Sequence, residues 1–377
     1  MVEIIIIIIA LVWGFLSVFG SEPLLDFQKE VWPSSDNEQT KVQTPDYTSG
    51  YTHSQENEPS SQIPLSPAAI KIVSGPYEGE VLNETNKVTF EFELKQPSED
   101  NVRFETKIEG FDNDWVSSYS QKRSVTLPAG PKEYTFMVRE RDKNQTPTKR
   151  NFKINVSPYF EKIEFDDVEA QTISQPSLIT LDTDLDEGET INMTGWKLKG
   201  KRQEFIIPKA AEKYHQIFNA YPNDNLIVRK EDKIYLSSAS TPIGPIQAFK
   251  INECFGYLLP LYNFILPVEK NCPSVQEKDV SHLDDCCQEY LLSAPSCEAQ
   301  KDSYLQDAEC REYISNNLNY AGCFSKYSKD SNFLENEWHI YLGKNMVITG
   351  ECNTLYLYDQ NGLFVDKYQY GQENCQY

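Results

Sequence analysis

Apolar and polar residues alternate over several short stretches of residues 68–160, as they do in half-buried β-strands. The alternation is clear at residues 88–94, 102–108, 134–138 and 152–156. Glycine, proline, asparagine and aspartate separate these stretches and favour turns. The pattern predicts a small antiparallel β-sandwich over residues 68–160.

A second set of short apolar stretches predicts another sandwich over residues 177–377, after an acidic linker at residues 161–176. Its last hairpin turns at Asn361-Gly362, because these residues adopt positive φ at little cost. The stretches that predict its strands are 205–208, 232–237, 339–343, 354–359 and 363–368.

Between these strands, residues 254–333 show little regular periodicity. Only residues 287–292 and 308–318 have a helical pattern, and helices this short do not persist alone. All nine cysteines follow residue 253, so cross-links can compensate for a thin core here. We therefore predict a small helical lobe, stabilised by disulfides and inserted into the second sandwich.

The first 67 residues are predicted to lie outside both sandwiches. Residues 1–20 contain a continuous apolar run over residues 4–19, which fits either a cleaved signal peptide or a retained membrane anchor. Residues 21–67 are rich in polar residues and proline, and are predicted to be a disordered spacer. Either interpretation of the apolar run implies export to the extracellular side or the cell surface.

The net charge and the cysteine content argue against two kinds of site, one for nucleic acid and one for zinc. The chain has a net charge of −22, and residues 161–377 hold 34 acidic residues against 19 Lys and Arg. An acidic surface repels phosphates and argues against nucleic-acid binding. In an exported chain, nine cysteines without a C-x2-C pair predict disulfides rather than a zinc site.

Residues 109–115 (Glu-Gly-Phe-Asp-Asn-Asp-Trp) and 127–136 (Leu-Pro-Ala-Gly-Pro-Lys-Glu-Tyr-Thr-Phe) resemble a known domain type. It is the Tyr-rich, immunoglobulin-like domain that closes the extracytoplasmic part of many bacterial sensor receptors. The resemblance covers about ninety residues. We expect Trp115 and Tyr134 to be core aromatics. An alternative calcium site at Asp112 and Asp114 is less favoured than a solvated turn.

Residues 177–370 resemble a lamin tail domain. The resemblance rests on residues 191–198 (Ile-Asn-Met-Thr-Gly-Trp-Lys-Leu), 205–208, 232–236 and 355–362, the last of which ends in Asp-Gln-Asn-Gly. In that family the tryptophan of the first element lies in the sandwich core, which implies such a position for Trp196; Trp338 is expected in the core as well. The long segment after Thr241 resembles the insertion of bacterial exported members.

The same resemblance implies which six cysteines form disulfides within the insertion. By motif position the set is Cys254, Cys272, Cys287, Cys297, Cys310 and Cys323. Six cysteines allow 15 pairings, and the sequence does not choose among them. Cys352 and Cys375 flank the last hairpin, and we predict that they pair. Cys286 is left over, and either exchanges with Cys287 or links two chains.

No motif in the sequence predicts catalysis, a cofactor or a metal site. Asp182, Asp184 and Asp186 alternate as in a calcium loop, but an EF-hand loop requires glycine and glutamate where this chain has Glu187 and Met193. The four histidines form no H-x-x-x-H pair. A cysteine nucleophile has one candidate, Cys286 near His282, and an oxidised or buried cysteine is the favoured interpretation.

With no catalytic motif present, the lamin-tail resemblance implies a non-enzymatic exported or cell-surface protein that binds or scaffolds through its lamin-tail-like domain in the bacterial envelope. Its partner is expected to be an envelope protein or a polysaccharide, and it contacts the membrane only if its first segment is retained. The alternative is a carbohydrate-binding or accessory module of a surface hydrolase system. A hydrolase with an undetected carboxylate pair ranks third. The carbohydrate-binding alternative requires sugars to stack on Tyr257, Tyr262, Phe264 and Tyr320. The favoured interpretation is that these aromatic residues pack the core of the lobe.

Overall fold

The computed structural model describes residues 66, 69–97, 101–170, 175–215, 222–298, 307–343, 348 and 352–371. Over these residues the protein is mainly β, as predicted, and contains several sheets and three disulfides. The predicted signal segment and almost all of the predicted spacer lie outside the described residues. In the described part of the chain, no helix is both long enough and apolar enough to cross a membrane.

The first eight strands form what we call the N-terminal β unit. Two sheets make up this unit, with strand orders β1-β3-β6 and β2-β8-β7-β4-β5. The strands are β1 (Ile70–Ser74), β2 (Glu80–Leu82), β3 (Lys87–Leu94), β4 (Phe104–Glu109), β5 (Val116–Ser118), β6 (Lys122–Thr126), β7 (Lys132–Glu140) and β8 (Thr148–Ile154).

Alternation buries one face of each of these sheets against the other. In β3, Val88, Phe90 and Phe92 point into the core, while their neighbours are more exposed. Phe90 stacks on Phe136 of the facing sheet with 3.9 Å between ring centroids. Tyr134 is buried in the same cluster, as predicted.

Trp115 does not join this core, contrary to the prediction. It is half-buried at the surface, immediately before the short edge strand β5. The Arg139 guanidinium lies 4.1 Å from its ring centroid. A cation over the indole face is favourable only where the ring remains accessible to a charged side chain, and that geometry keeps Trp115 outside the apolar cluster.

The remaining strands form the C-terminal β unit. Its sheets have the orders β16-β17-β15-β10-β9, β13-β12-β18-β19 and β11-β14. The strands are β9 (Ile163–Glu169), β10 (Leu178–Thr183), β11 (Thr190–Asn192), β12 (Lys197–Lys199), β13 (Glu204–Ile206), β14 (Ile227–Arg229), β15 (Lys233–Ser237), β16 (Ala248–Asn252), β17 (Leu334–Tyr341), β18 (Cys352–Tyr358) and β19 (Phe364–Gly371).

Strand β9 corrects the predicted linker. Residues 161–176 contain a seven-residue strand that pairs antiparallel with β10, so part of this acidic segment belongs to the C-terminal β unit. Ile163, Phe165 and Val168 are buried there, and the acidic side chains between them face outward. The high charge of the segment obscures this short alternation.

Trp196 lies fully buried in the core of the C-terminal β unit, where the lamin-tail resemblance places it. Its indole Nε1 donates a hydrogen bond of 2.8 Å to Oε1 of Gln360 in the last hairpin turn. Trp338 is also fully buried in this core. The predicted core positions of Trp196 and Trp338 are therefore confirmed.

In the described part of the chain, four α-helices follow β16: α1 (Glu277–Val280), α2 (Asp285–Leu292), α3 (Ala308–Asn317) and α4 (Tyr320–Tyr327). Asp284 caps α2 by accepting hydrogen bonds from the N–H groups of Cys286 and Cys287, and Asp307 caps α3 in the same way. The predicted helical stretches at residues 287–292 and 308–318 are thus confirmed. We call residues 254–327 the disulfide-linked segment.

Candidate functional site

The three disulfides select one pairing among those that the sequence left open. They join Cys254 to Cys323, Cys272 to Cys297 and Cys287 to Cys310. All six predicted cysteines are used, and Cys286 is a free, exposed cysteine. The side chain of Cys352 and the whole of Cys375 lie outside the described residues, so their pairing remains a prediction.

Two of these bridges lie in a second apolar cluster. This cluster packs on the sheet β16-β17-β15-β10-β9, on the opposite face from Trp196. Strand β16 is buried along its whole length because Ala248 faces one cluster and Phe249 faces the other. Phe249 stacks on Phe255 with 5.5 Å between ring centroids. The disulfide-linked segment is therefore fixed to a strand that is covered on both faces.

One loop of this segment carries unusually exposed apolar residues. Residues 259–268, which we call the apolar loop, follow the 3₁₀-helix Phe255–Leu258 and lie between the bridged residues Cys254 and Cys272. Leu261 retains 67% of its accessible surface and Ile265 retains 47%. Two exposed apolar side chains on one restrained loop make the apolar loop a candidate interaction site.

Neighbouring side chains hold the apolar loop in place from beneath. Leu266 is fully buried, and Phe264 packs edge-on against Phe249 and Phe255. The backbone N–H groups of Leu261 and Tyr262 both donate to the carbonyl oxygen of Leu258. Leu261 and Ile265 are therefore presented from an anchored loop, and little conformational entropy remains to be lost on binding.

Glutamates adjoin the base of the apolar loop and carry mutually repelling charge. Burial raises the pKa of Glu335, and the nearby carboxylates of Glu337, Glu269 and Glu253 raise it further. The pKa of Glu253 is raised chiefly by burial, and its Oε1 is enclosed without a hydrogen-bond partner. A cationic partner group would relieve this repulsion.

The aromatic residues considered for sugar stacking pack the segment instead. Tyr257 and Tyr320 are buried, and Tyr262 and Phe264 pack against the same apolar cluster. The Tyr320 hydroxyl donates to the carbonyl oxygen of Tyr214 at 2.7 Å and accepts from Asn252. None of these four rings presents a fully open face.

Of the residues considered for metal binding, Asp112 already has protein partners. Asp112 accepts from the backbone N–H of Ile108 and pairs with Arg123, whose Nη2 lies 2.6 Å from its Oδ1. Among the described residues, one group has metal-like spacing, Cys287, Asp307 and Cys310. Its two sulfurs are already bonded to each other, so they cannot act as thiolate ligands.

The three histidines that the structure describes lie in different environments. His215 contacts Phe324 edge-on, His282 lies 6.2 Å from the Tyr313 ring, and His339 is fully buried. Burial lowers the pKa of His339 despite the nearby carboxylate of Glu337 at 3.6 Å. Neither ring nitrogen of His339 has a hydrogen-bond partner, so the imidazole is a neutral core group.

A surface cleft lies on the N-terminal β unit. It has a volume of about 470 Å³, is open to solvent and is lined by Gly110, Glu133, Tyr134, Asn151 and Lys153, among others. The Tyr134 hydroxyl is enclosed and lacks a hydrogen-bond partner. An open cleft of this kind does not bury a small ligand.

Comparison with known proteins returns no match, either to a protein-family model or to a curated protein. Function must therefore be argued from the chain itself. Sequence reasoning considered Tyr262 and Phe264 but missed Leu261 and Ile265. The available signal was a run of apolar residues between two cysteines, at a place without a strand or helix pattern.

Proposed function

We propose that this chain is a non-enzymatic binding or scaffolding protein, exported to the bacterial cell surface. In this proposal its two β units are an immunoglobulin-like and a lamin-tail-like sandwich, and the disulfide-linked segment is the insertion of the second. The observation that carries the proposal is the apolar loop, which presents Leu261 and Ile265 from a base held by two disulfides.

The surroundings of the loop favour a protein partner that combines apolar and basic residues. Leu261 and Ile265 supply the apolar contact, and Glu269, which directly follows the loop in the chain, lies near Glu335 and supplies negative charge. Basic side chains on the partner would pair with these carboxylates and hasten association. An envelope protein fits this chemistry better than a neutral polysaccharide.

The three disulfides support the exported location, because such bonds persist in oxidising compartments. The contact between the β units supports a scaffolding role. Ser157 at the end of the N-terminal β unit bonds both the backbone and the side chains of the last hairpin, through Phe364 and Asp359. Because the two β units are hydrogen-bonded to each other, a partner bound at the apolar loop would be held in place relative to both units.

The test compares capture of envelope proteins by the purified chain and by the double variant Leu261→Ser/Ile265→Ser. We expect the variant to lose at least tenfold in affinity for whatever partner the wild-type chain captures. The matched control is Ile206→Ser, since Ile206 on β13 is 58% exposed and lies outside the loop. Raising the salt concentration should weaken capture by the wild-type chain.

Three results would contradict the proposal. Equal capture by the loop variant and the wild-type chain would remove the apolar loop from the binding site. Specific retention on a glycan array would favour the carbohydrate-binding alternative. Turnover of any glycan would show that the protein is an enzyme.

A further inference from the structure

Lys250 and Asp232 form an ion pair that is almost completely removed from solvent. Nζ of Lys250 lies 2.8 Å from Oδ1 and 2.9 Å from Oδ2 of Asp232. The exposed fractions of the two side chains are 3% and 1%. A buried pair of this kind is costly to desolvate, and apolar residues of similar volume are often at least as stabilising. Stability alone is therefore a weak reason for this pair.

The pair spans the middle strand of three. Lys250 lies on β16, Asp232 immediately precedes β15, and β17 lies between these two strands in the sheet. Nζ of Lys250 lies 5.4 Å from the ring centroid of Trp338 on β17. Trp338 is fully buried, so its ring adds to the apolar surroundings of the pair.

Burial works against the charged form of the Lys250 amine. Burial lowers the pKa of Lys250, against the opposing effect of Asp232, and the positive charge of Arg229 lowers it as well. The backbone N–H of Arg229 also donates to Oδ2 of Asp232 at 2.9 Å, which fixes the orientation of the carboxyl group. A neutral amine is the nucleophilic form of lysine.

We propose that Lys250 and Asp232 react with each other to form an intramolecular isopeptide bond. A proton first passes from the ammonium group to the carboxylate, which leaves an amine beside a carboxyl group. Nζ then attacks Cγ of Asp232, and a C–N bond forms. The C–OH bond breaks, and the hydroxyl leaves as water with a second proton from the nitrogen. The reaction needs neither an oxidant nor a cofactor.

Two features of the pair promote this reaction. Nζ is within hydrogen-bond distance of both carboxyl oxygens, so it is already close to Cγ. Fixing two reactants in this way replaces a bimolecular encounter with a unimolecular step. Exclusion of water from the site also opposes hydrolysis of the amide once it has formed.

The bond would fasten β16 to the start of β15 across β17. The two residues are 18 positions apart in the chain, and the strands they join enclose the strand that carries Trp338 and His339. The sheet on which the disulfide-linked segment rests would then resist extraction of a single strand. This inference is independent of the partner proposed for the apolar loop.

Peptide mapping of the full chain, folded, then reduced, denatured and digested with trypsin, tests the proposal. Trypsin cleaves after free lysine, so a linked Lys250 blocks cleavage there. We expect residues 231–233 to remain attached to residues 234–270 after cleavage at Lys233. The branched product should be lighter than its two linear parts by one water molecule.

Two variants identify the linkage. Asp232→Asn should give the same branched product, because the leaving group becomes ammonia and the same amide results. Asp232→Ala should release residues 231–233 and 234–250 as separate peptides. Recovery of these separate peptides, without the branched product, from the folded wild-type chain would overturn the proposal and leave a buried ion pair. The wild-type result decides the question even if both variants fail to fold.

Discussion

Ser157 and Asp359 join the two β units through a buried hydrogen bond. The Ser157 hydroxyl donates to Oδ2 of Asp359 at 2.8 Å, although 202 positions separate the residues in the chain. Oδ1 of Asp359 accepts from the backbone N–H groups of Asn361 and Leu363 at 2.8 and 3.0 Å. One carboxylate therefore shapes the last hairpin turn and ties it to the N-terminal β unit.

Removing this carboxylate should destabilise the fold. We expect Asp359→Ala to lower the free energy of unfolding by about 3 kcal/mol, because it leaves several buried donors without an acceptor. Ser157→Ala should cost about 1–2 kcal/mol, since it removes one of those bonds. Urea unfolding followed by circular dichroism measures both changes. Asp114→Ala, at an exposed turn, is the control and should change stability by less than about 0.5 kcal/mol.

Trp196 and Trp115, both predicted to be core residues, should respond differently to truncation. Trp196→Ala should cost about 3–5 kcal/mol, because it empties a fully buried site in the C-terminal core. Trp115→Ala should cost about 1 kcal/mol, since the half-buried ring mainly contacts the Arg139 guanidinium. Thermal unfolding of the two variants checks this order. Equal losses of stability in the two variants would contradict the surface position of Trp115.

His339 should make the fold sensitive to mild acid. Its pKa is lowered by burial in the folded chain, whereas in the unfolded chain it is about 6.5. Below that pH the unfolded chain binds a proton that the folded chain excludes, so stability falls as pH falls from about 7 to 5. The slope attributable to His339 cannot exceed about 1.4 kcal/mol per pH unit.

The variant His339→Phe isolates this effect. Phenylalanine fills a similar volume between the rings of Tyr235 and Phe249 and does not titrate. Buried carboxyl groups such as Asp366, whose pKa is raised by burial, contribute with the opposite sign in both proteins. The difference between the two urea midpoints should therefore widen in favour of the variant as pH falls. A constant difference would show that His339 does not titrate over this range.

The disulfides should differ in their contribution to stability. The Cys254–Cys323 bridge spans 69 positions, and replacing both cysteines by serine should cost about 4 kcal/mol in the chain-entropy estimate. The Cys287–Cys310 bridge spans 23 positions and should contribute about 3.5 kcal/mol. Denaturant unfolding of each double variant measures the loss. Cys286→Ser removes a free thiol and should leave stability nearly unchanged.

Alternation predicted the clearest strands, and the family resemblances placed Trp196 and Tyr134 in the cores; Trp338 was also expected there. The sequence-based predictions were wrong at two places, strand β9 and Trp115. In β9, acidic residues on the outer face hide the buried face formed by Ile163 and Phe165. At Trp115, an aromatic residue beside a turn resembles a core residue, but its partner Arg139 is distant in the chain.

The contacts that define the candidate sites are long-range, which explains why the sequence did not reveal them. The Lys250–Asp232 pair depends on the parallel pairing of β15 with β17, and no local pattern encodes that register. Similarly, the disulfide pairing depends on how the helices pack. The apolar loop is visible as a run of apolar residues, but only the fold shows that Leu266 is buried while Leu261 is exposed.

Phe364, on β19, packs into the core of the N-terminal β unit and pairs with Val156 through an isolated β-bridge. The N-terminal β unit therefore lacks part of its core until the ribosome has synthesised nearly the whole chain. During synthesis, the apolar surface around Phe160 that later receives Phe364 stays uncovered. The two units thus mature together, and a chain truncated before residue 364 would leave both of them incomplete.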